Sequence, residues 1–169
     1  MNFFIHRTNN KSIAHVTYDK KKILCYVGKN GIGEKKREGD LITPKGWYKM
    51  EKIFYREDKV RNLRSSLPTF RIKKNCAWCV DSKHPDYNSL IRKPSKYKYE
   101  ELFRDDDLYD IVIVLDFNLN PSTKHKGSAI FIHCCSQEKN YTEGCVALKK
   151  KNLIELIKHI TPLSKLVIY

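Results

Sequence analysis

No run of about 18 apolar residues occurs anywhere in the chain, which argues against a membrane-crossing helix. The opening MNFFIHRTNNKSIAH has neither a basic start nor an apolar stretch long enough for a secretory leader. As written, the chain either follows a leader already removed or begins in the cytoplasm. Glycine is sparse, seven in 169 residues, and four of the seven fall within residues 28–40, GKNGIGEKKREGD. That stretch has no G-K-[ST], and no G-x-G-x-x-G follows a strand and opens a helix. It is not a phosphate-binding loop and reads as a mobile or tightly turned one. Cysteine numbers six, but Cys76-Ala-Trp-Cys79 is the single CxxC. A structural zinc site would want a second pair, and the adjacent Cys134-Cys135 is not one. A redox pair would want a strand before it and a helix after it, whereas this one sits in a loop-like context. Ordinary thiols, a disulfide or redox pair, and a metal site all stay open for Cys76 and Cys79. Internal repeats and low-complexity linkers are absent, so residues 1–169 read as one domain.

The hydrophobic share of 41%, with 19 aromatics among it, belongs to a globular protein rather than a disordered one. A chain this long buries roughly two thirds of its unfolded surface. The formal charge of +14 is mostly lysine. Such a field favours a polyanion, whether nucleic acid, anionic lipid or an acidic cell-wall polymer. A lysine-rich but otherwise indifferent surface gives the same number. The basic residues fall in short clusters (Lys20–Lys22, Lys35–Arg37, Lys149–Lys151) rather than one stripe, so nucleic acid is not expected as a partner.

The pattern is mostly β. Residues 2–7, 12–18 and 21–27 are β-branched and aromatic, with turns between them. Residues 47–55, WYKMEKIFY, alternate with period 2 after the turn signal Thr43-Pro44-Lys45-Gly46. Residues 109–117 and 128–134 are two more apolar strands, and 166–169 closes the chain. Residues 149–160 put Leu153, Leu156, Ile157 and Ile160 on one helical face, and 97–104 reads as a second, short helix. Residues 56–96 are polar and irregular, with Pro68, Pro85 and Pro94, which predicts a long functional loop or lid. Within it Trp78, His84, Asp86, Tyr87, Asn88 and Arg92 suit the binding of a polar ligand.

Chemistry concentrates at Ile130–Leu148, IFIHCCSQEKNYTEGCVAL. An apolar run delivers His133, and the chain returns through Thr142-Glu143-Gly144-Cys145 into Val146-Ala147-Leu148. A histidine beside a thiol is the commonest way to make a cysteine nucleophilic. Cys145 lies just upstream of the 149–160 helix, whose N-terminal potential would favour a thiolate. Backbone amides of Gly144 and Cys145 suit an oxyanion hole, and His133 suits the general base. A buried cysteine near a structural histidine has the same spacing.

These residues bring a resemblance. The order of strand, glycine-rich loop, Gly39-Asp40-Leu41-Ile42-Thr43-Pro44-Lys45-Gly46, strand, His133 and Gly144-Cys145-Val146 resembles the L,D-transpeptidase catalytic domain (YkuD family) over about residues 20–169. The segments WCVDSKHPDYNSLIR and DDLYDIVIVLDFN are similar to a compact proteobacterial branch of it. The resemblance implies a mostly β (α+β) fold, a β-sandwich or β-sheet catalytic domain with a helix after the nucleophile and a long active-site loop. It implies a peptidoglycan L,D-transpeptidase, with Cys145 as nucleophile attacking a stem peptide and a thioester resolved by an amine of a second stem. Water in place of the amine gives an L,D-carboxypeptidase or endopeptidase. His133 would be the base, oriented by a backbone carbonyl of Cys134, and Gly144 would supply an oxyanion donor. Thr142, Glu143, Arg92, Tyr87, Asn88, His84 and Trp78 would bind substrate, with Arg92 or nearby lysines on its carboxylates. No metal or cofactor is implied. The implied partners are donor and acceptor stem peptides, a monomer is expected, and the implied location is the periplasm or cell envelope although no leader is visible in these residues. Two residues depart from the family pattern. Glu143 stands where the family has a histidine, and Ala147 where it has Arg or Asn. A non-enzymatic basic module that binds a polyanion is the reading from a different class.

Overall fold

Alternation of apolar and polar residues builds the first sheet, and the computed structural model shows its result for every residue except Gln137. Three antiparallel strands, β1 (Asn2–Arg7), β2 (Ile13–Tyr18) and β3 (Lys21–Tyr26), open the chain. In β2 every second side chain, Ala14, Val16 and Tyr18, is buried, as period 2 requires of a half-buried strand. Two short strands, β4 (Ile32–Gly33) and β5 (Thr43–Pro44), then pair in parallel across the glycine-rich stretch, which is tightly turned. The ten-residue β6 (Gly46–Tyr55) follows, with β7 (Thr69–Arg71) beside its end. Next come β8 (Cys76–Cys79), β9 (Leu90–Arg92) and β10 (Tyr99–Glu101). The chain finishes with β11 (Ile111–Leu115), β12 (Phe131–Cys134), β13 (Val146–Leu148), helix α1 (Lys150–Ile157) and β14 (Lys165–Ile168).

The large sheet runs β11-β12-β13-β3-β2-β1-β14-β6-β7, and β6 also pairs with β11. Residues 46–49 of β6 hold β14 and residues 50–55 hold β11, so one long strand closes the sheet into a barrel-like ring. Inside lies a core that includes Phe3, Ile5, Ile53, Ile113, Leu115, Ile132 and Leu148, each under 2% exposed, with Leu153 and Leu156 of α1 packed against it. Strands β11, β12 and β13 are buried on both faces. Their second face meets another cluster, in which Trp78 of the smaller β10-β8-β9 sheet and Leu102 just beyond β10 cover Val112, Phe131 and Cys145. Trp78 packs edge-on against Phe131 at 5.1 Å, a geometry that adds about 1 kcal/mol to plain burial.

Three expectations change here. Residues 56–96 are not uniformly irregular, because they carry β7, β8 and β9. Residues 97–104 are not helical: Glu100 pairs with Trp78 in β10, and the available strand partner overrides local propensity. Cys76 and Cys79 lie in a strand rather than a loop. At odd separation they face opposite sides, with Cα atoms about 10 Å apart, too far for a disulfide. All six cysteines are free. Among the described residues no group of His, Cys, Asp and Glu is arranged to hold a metal ion, and no helix is long and apolar enough to cross a membrane.

Candidate active site

Parallel pairing of β12 with β13 brings the two reactive residues together. Ile132 lies opposite Val146 and His133 opposite Ala147. Side chains alternate along each strand, so His133, Phe131, Ala147 and Cys145 share one sheet face, the one covered by the smaller sheet. His133 is 6% exposed, and its Nδ1 lies 2.7 Å from the Cys134 carbonyl oxygen. A carbonyl only accepts, so Nδ1 carries the proton and Nε2 keeps its lone pair. The Tyr109 ring stands edge-on to the imidazole at 5.3 Å. Burial lowers the His133 pKa to about 4, the Cys134 carbonyl opposing and the Arg104 charge adding to the fall. The ring is therefore neutral at pH 7.

Cys145 is 9% exposed, and its thiol donates to the Ala129 carbonyl at 3.1 Å while accepting the Phe131 amide at 3.4 Å. At rest the thiol proton is thus held by the backbone and not by His133. Burial, then the negative charge of Glu100, push the Cys145 pKa up to about 12, against the pull of the Phe131 amide and Lys35. Both partners rest uncharged.

The turn before the nucleophile is fixed by two threonines. Thr142 Oγ1 donates to the Cys145 carbonyl at 2.6 Å and accepts the Gly144 amide at 3.1 Å. Thr43 Oγ1 accepts the Gly28 amide at 2.8 Å and donates to the same Cys145 carbonyl at 3.3 Å. The Gly39–Gly46 segment is therefore the floor beneath the nucleophile. Gly144 has φ +144°, and a Cβ there would lie 2.9 Å from the Ile42 carbonyl oxygen, so only glycine fits. Two expected sources of positive field weaken. The Gly144 amide is already bonded within the turn. Helix α1 begins at Lys150, a whole strand beyond Cys145, whereas a helix end acts only within about one turn.

A cleft of about 1100 Å³ opens over these residues and is lined by His133, Thr142, Glu143, Gly144 and Cys145, with Glu100, Arg104, Tyr109 and Lys35 around them. The substrate residues expected from 78–92 do not reach it. Trp78 and Asn88 are buried, the indole Nε1 donating to Asn88 Oδ1 at 2.9 Å. Asn88 Oδ1 also accepts the Ala129 amide at 2.9 Å, and its Nδ2 donates to the carbonyls of Phe117 and Asn118. Tyr87 donates to Glu38 at 2.6 Å and accepts the Gly127 amide. These three brace the 127–129 backbone, which receives the thiol. His84 and Arg92 line a separate shallow pocket with Tyr97. Glu143 is exposed, and among the described residues it forms no ion pair. Sequence reasoning missed Glu100, Arg104 and Tyr109. Tyr109 donates to Glu100, and Arg104 pairs with Asp106. The alternation Tyr97-Lys98-Tyr99-Glu100 breaks at Glu101, so the three-residue strand that carries Glu100 left no clear period-2 signal.

The L,D-transpeptidase catalytic domain (YkuD) family matches residues 3–168, essentially the whole chain. No curated protein matches it.

Proposed function

Because the chain belongs to the YkuD family of L,D-transpeptidase catalytic domains, we propose that it is a cysteine acyl-transferase that cross-links peptidoglycan stem peptides. Cys145 is the nucleophile and His133 the base. Substrate binding draws the thiol from the Ala129 carbonyl toward His133 Nε2, which takes the proton as Sγ attacks a stem-peptide carbonyl on an L-centre. The amides of Cys145 and, once released by Thr142, Gly144 receive the developing oxyanion. The imidazolium returns its proton to the departing amino group of the terminal D-residue, leaving a thioester on Cys145. An amine of a second stem then attacks, His133 takes its proton, and the thiol leaves with the new amide formed. The carrying observation is the His133 Nδ1 bond to the Cys134 carbonyl, which supports a ring with Nε2 free on the thiol's own sheet face. The activity is expected in the cell envelope, where the family typically acts.

Water instead of the second amine would give a carboxypeptidase or endopeptidase. The carboxylates of Glu100 and Glu143 on the cleft wall favour the amine, which arrives as a cation and gives up one proton to solvent before its lone pair attacks, the second passing to His133. The test is incubation of wild type and Cys145→Ala with purified peptidoglycan fragments, products being read by mass spectrometry. Dimers from the wild type and none from the variant are expected. Shortened monomers alone would shift the reading to hydrolysis. Neither product, with no adduct on Cys145, would sink the acyl-transfer reading.

A further inference from the structure

Two sources of positive field near Cys145, the helix end and the Gly144 amide, are weaker than the sequence suggests, and a cation stands against the same turn. The Lys35 side chain is 3% exposed, and its Nζ donates to Asp40 Oδ1 at 2.6 Å and, more weakly, to the Ile42 carbonyl at 3.4 Å. A Cβ on Gly144 would lie 3.4 Å from that Nζ, and one on Gly127 only 2.6 Å from the Lys35 Cε. The side chain is thus wedged between two glycines, with its ammonium against the residue that precedes the nucleophile. An ammonium has three N–H groups, two of which are engaged, and Lys35 lines the cleft. Burying a lysine is costly without a partner. Asp40 supplies one and is itself held by the amides of Lys36, Arg37 and Ile42 at 2.9, 3.3 and 3.1 Å.

We propose that Lys35 is a positioning residue of the acyl-transfer site, whose buried ammonium stabilises negative charge on Cys145 as the thiol gives up its proton. This deepens the acyl-transfer reading and rests on it for the role in turnover. The charge coupling itself is a property of the thiol. The other groups facing Cys145 do not supply this charge. Glu100 on β10 and Glu143 in the turn oppose a thiolate, Tyr109 is a neutral phenol bonded to Glu100, and His133 rests neutral. The pairing with Asp40 gives a test by sign. Removing the lysine's charge should disfavour the thiolate, and removing its counter-charge should favour it.

The experiment follows the pH dependence of Cys145 alkylation by iodoacetamide, read by mass spectrometry on the peptide that carries it. Wild type, Lys35→Met and Asp40→Asn are compared. Lys35→Met should move the profile to higher pH, lowering the rate at fixed pH roughly tenfold for every pH unit that the profile moves. Asp40→Asn should move it to lower pH. A purely structural brace would move both the same way, since both break one pair. Displacement of both profiles in one direction, or none in a Lys35→Met protein with wild-type circular dichroism, overturns the proposal. Should Lys35→Met not fold, Asp40→Asn decides: a profile at lower pH upholds the proposal, and an unchanged or higher one overturns it. Opposite displacements without any turnover of peptidoglycan would instead remove the transpeptidase reading and leave the coupling standing.

Discussion

As the proposed base, His133 would meet its substrate uncharged, and that sets the acid side of the reaction. With a pKa of about 4, it stays unprotonated well below the ordinary histidine range. The acid limb of kcat/KM should therefore fall near pH 4 rather than near 6.5, which a pH–rate profile on stem peptides will read. Glu100 acts in the opposite sense on the thiol. Glu100→Gln removes the charge that, after burial, does most to disfavour the thiolate. It should speed Cys145 alkylation severalfold at fixed pH, and a slower rate would contradict the assignment. At this scale His133 and Cys145 drew attention because each adjoins a short apolar run, residues 130–132 and 146–148. Lys35 was not, since a lysine in a basic loop looks solvated until its fold partner, Asp40, is seen to bury it. Arg92 and His84 misled for a related reason: polar residues near one another in sequence need not face one cavity.

The smaller sheet is the element the sequence concealed. Its strands have three or four residues each, too short for a periodic signal, and the prolines around them suggest a loop. Strands β1, β2, β3, β6 and β11 were legible because their alternation or unbroken apolar runs extend over five residues or more. The sheet matters through Asn88, which links Trp78 to the Ala129 backbone. Asn88→Ala strands a buried indole N–H and a buried amide, each costing roughly 1–3 kcal/mol. Urea unfolding should show a loss of about 2–6 kcal/mol, together with reduced alkylation specificity at Cys145. Arg92→Ala, on the separate pocket, should leave stability within about 0.5 kcal/mol and activity unchanged. A large loss of activity there would return Arg92 to the substrate site.

Across the whole molecule the charge is divided. The cleft wall gathers Glu38, Glu100, Glu101, Asp105, Asp106 and Glu143 against Lys29, Lys35, Arg104 and Lys139, although the chain as a whole carries +14. The basic field belongs to the outer surface, where it suits an acidic polymer, and the acidic wall faces the reacting groups. Sedimentation with insoluble peptidoglycan should therefore weaken as salt rises from about 0.05 to about 0.5 M, since screening shortens the Debye length severalfold. Binding indifferent to salt would count against that surface. Stability has a pH signature as well. His133 titrates near 6.5 unfolded and at about 4 folded, so the unfolded chain binds the proton more readily between those values. The contribution is complete above pH 6.5 and is lost as pH falls toward 4, by up to about 3 kcal/mol. Urea midpoints at the two ends of that range will show the fall.

The closing of the barrel has a consequence in time. Strand β14, residues 165–168, is inserted between β1 and β6 and pairs in parallel with residues 2–5. A ribosome delivers residues in order, so β1 waits until β14 has been made before its free edge is covered. Contacts of such long sequence separation form slowly. Until they form, β1 and β6 present unpaired backbone, which is where another chain can join. The same strand that completes the ring therefore marks the moment when a growing chain stops being exposed to its neighbours.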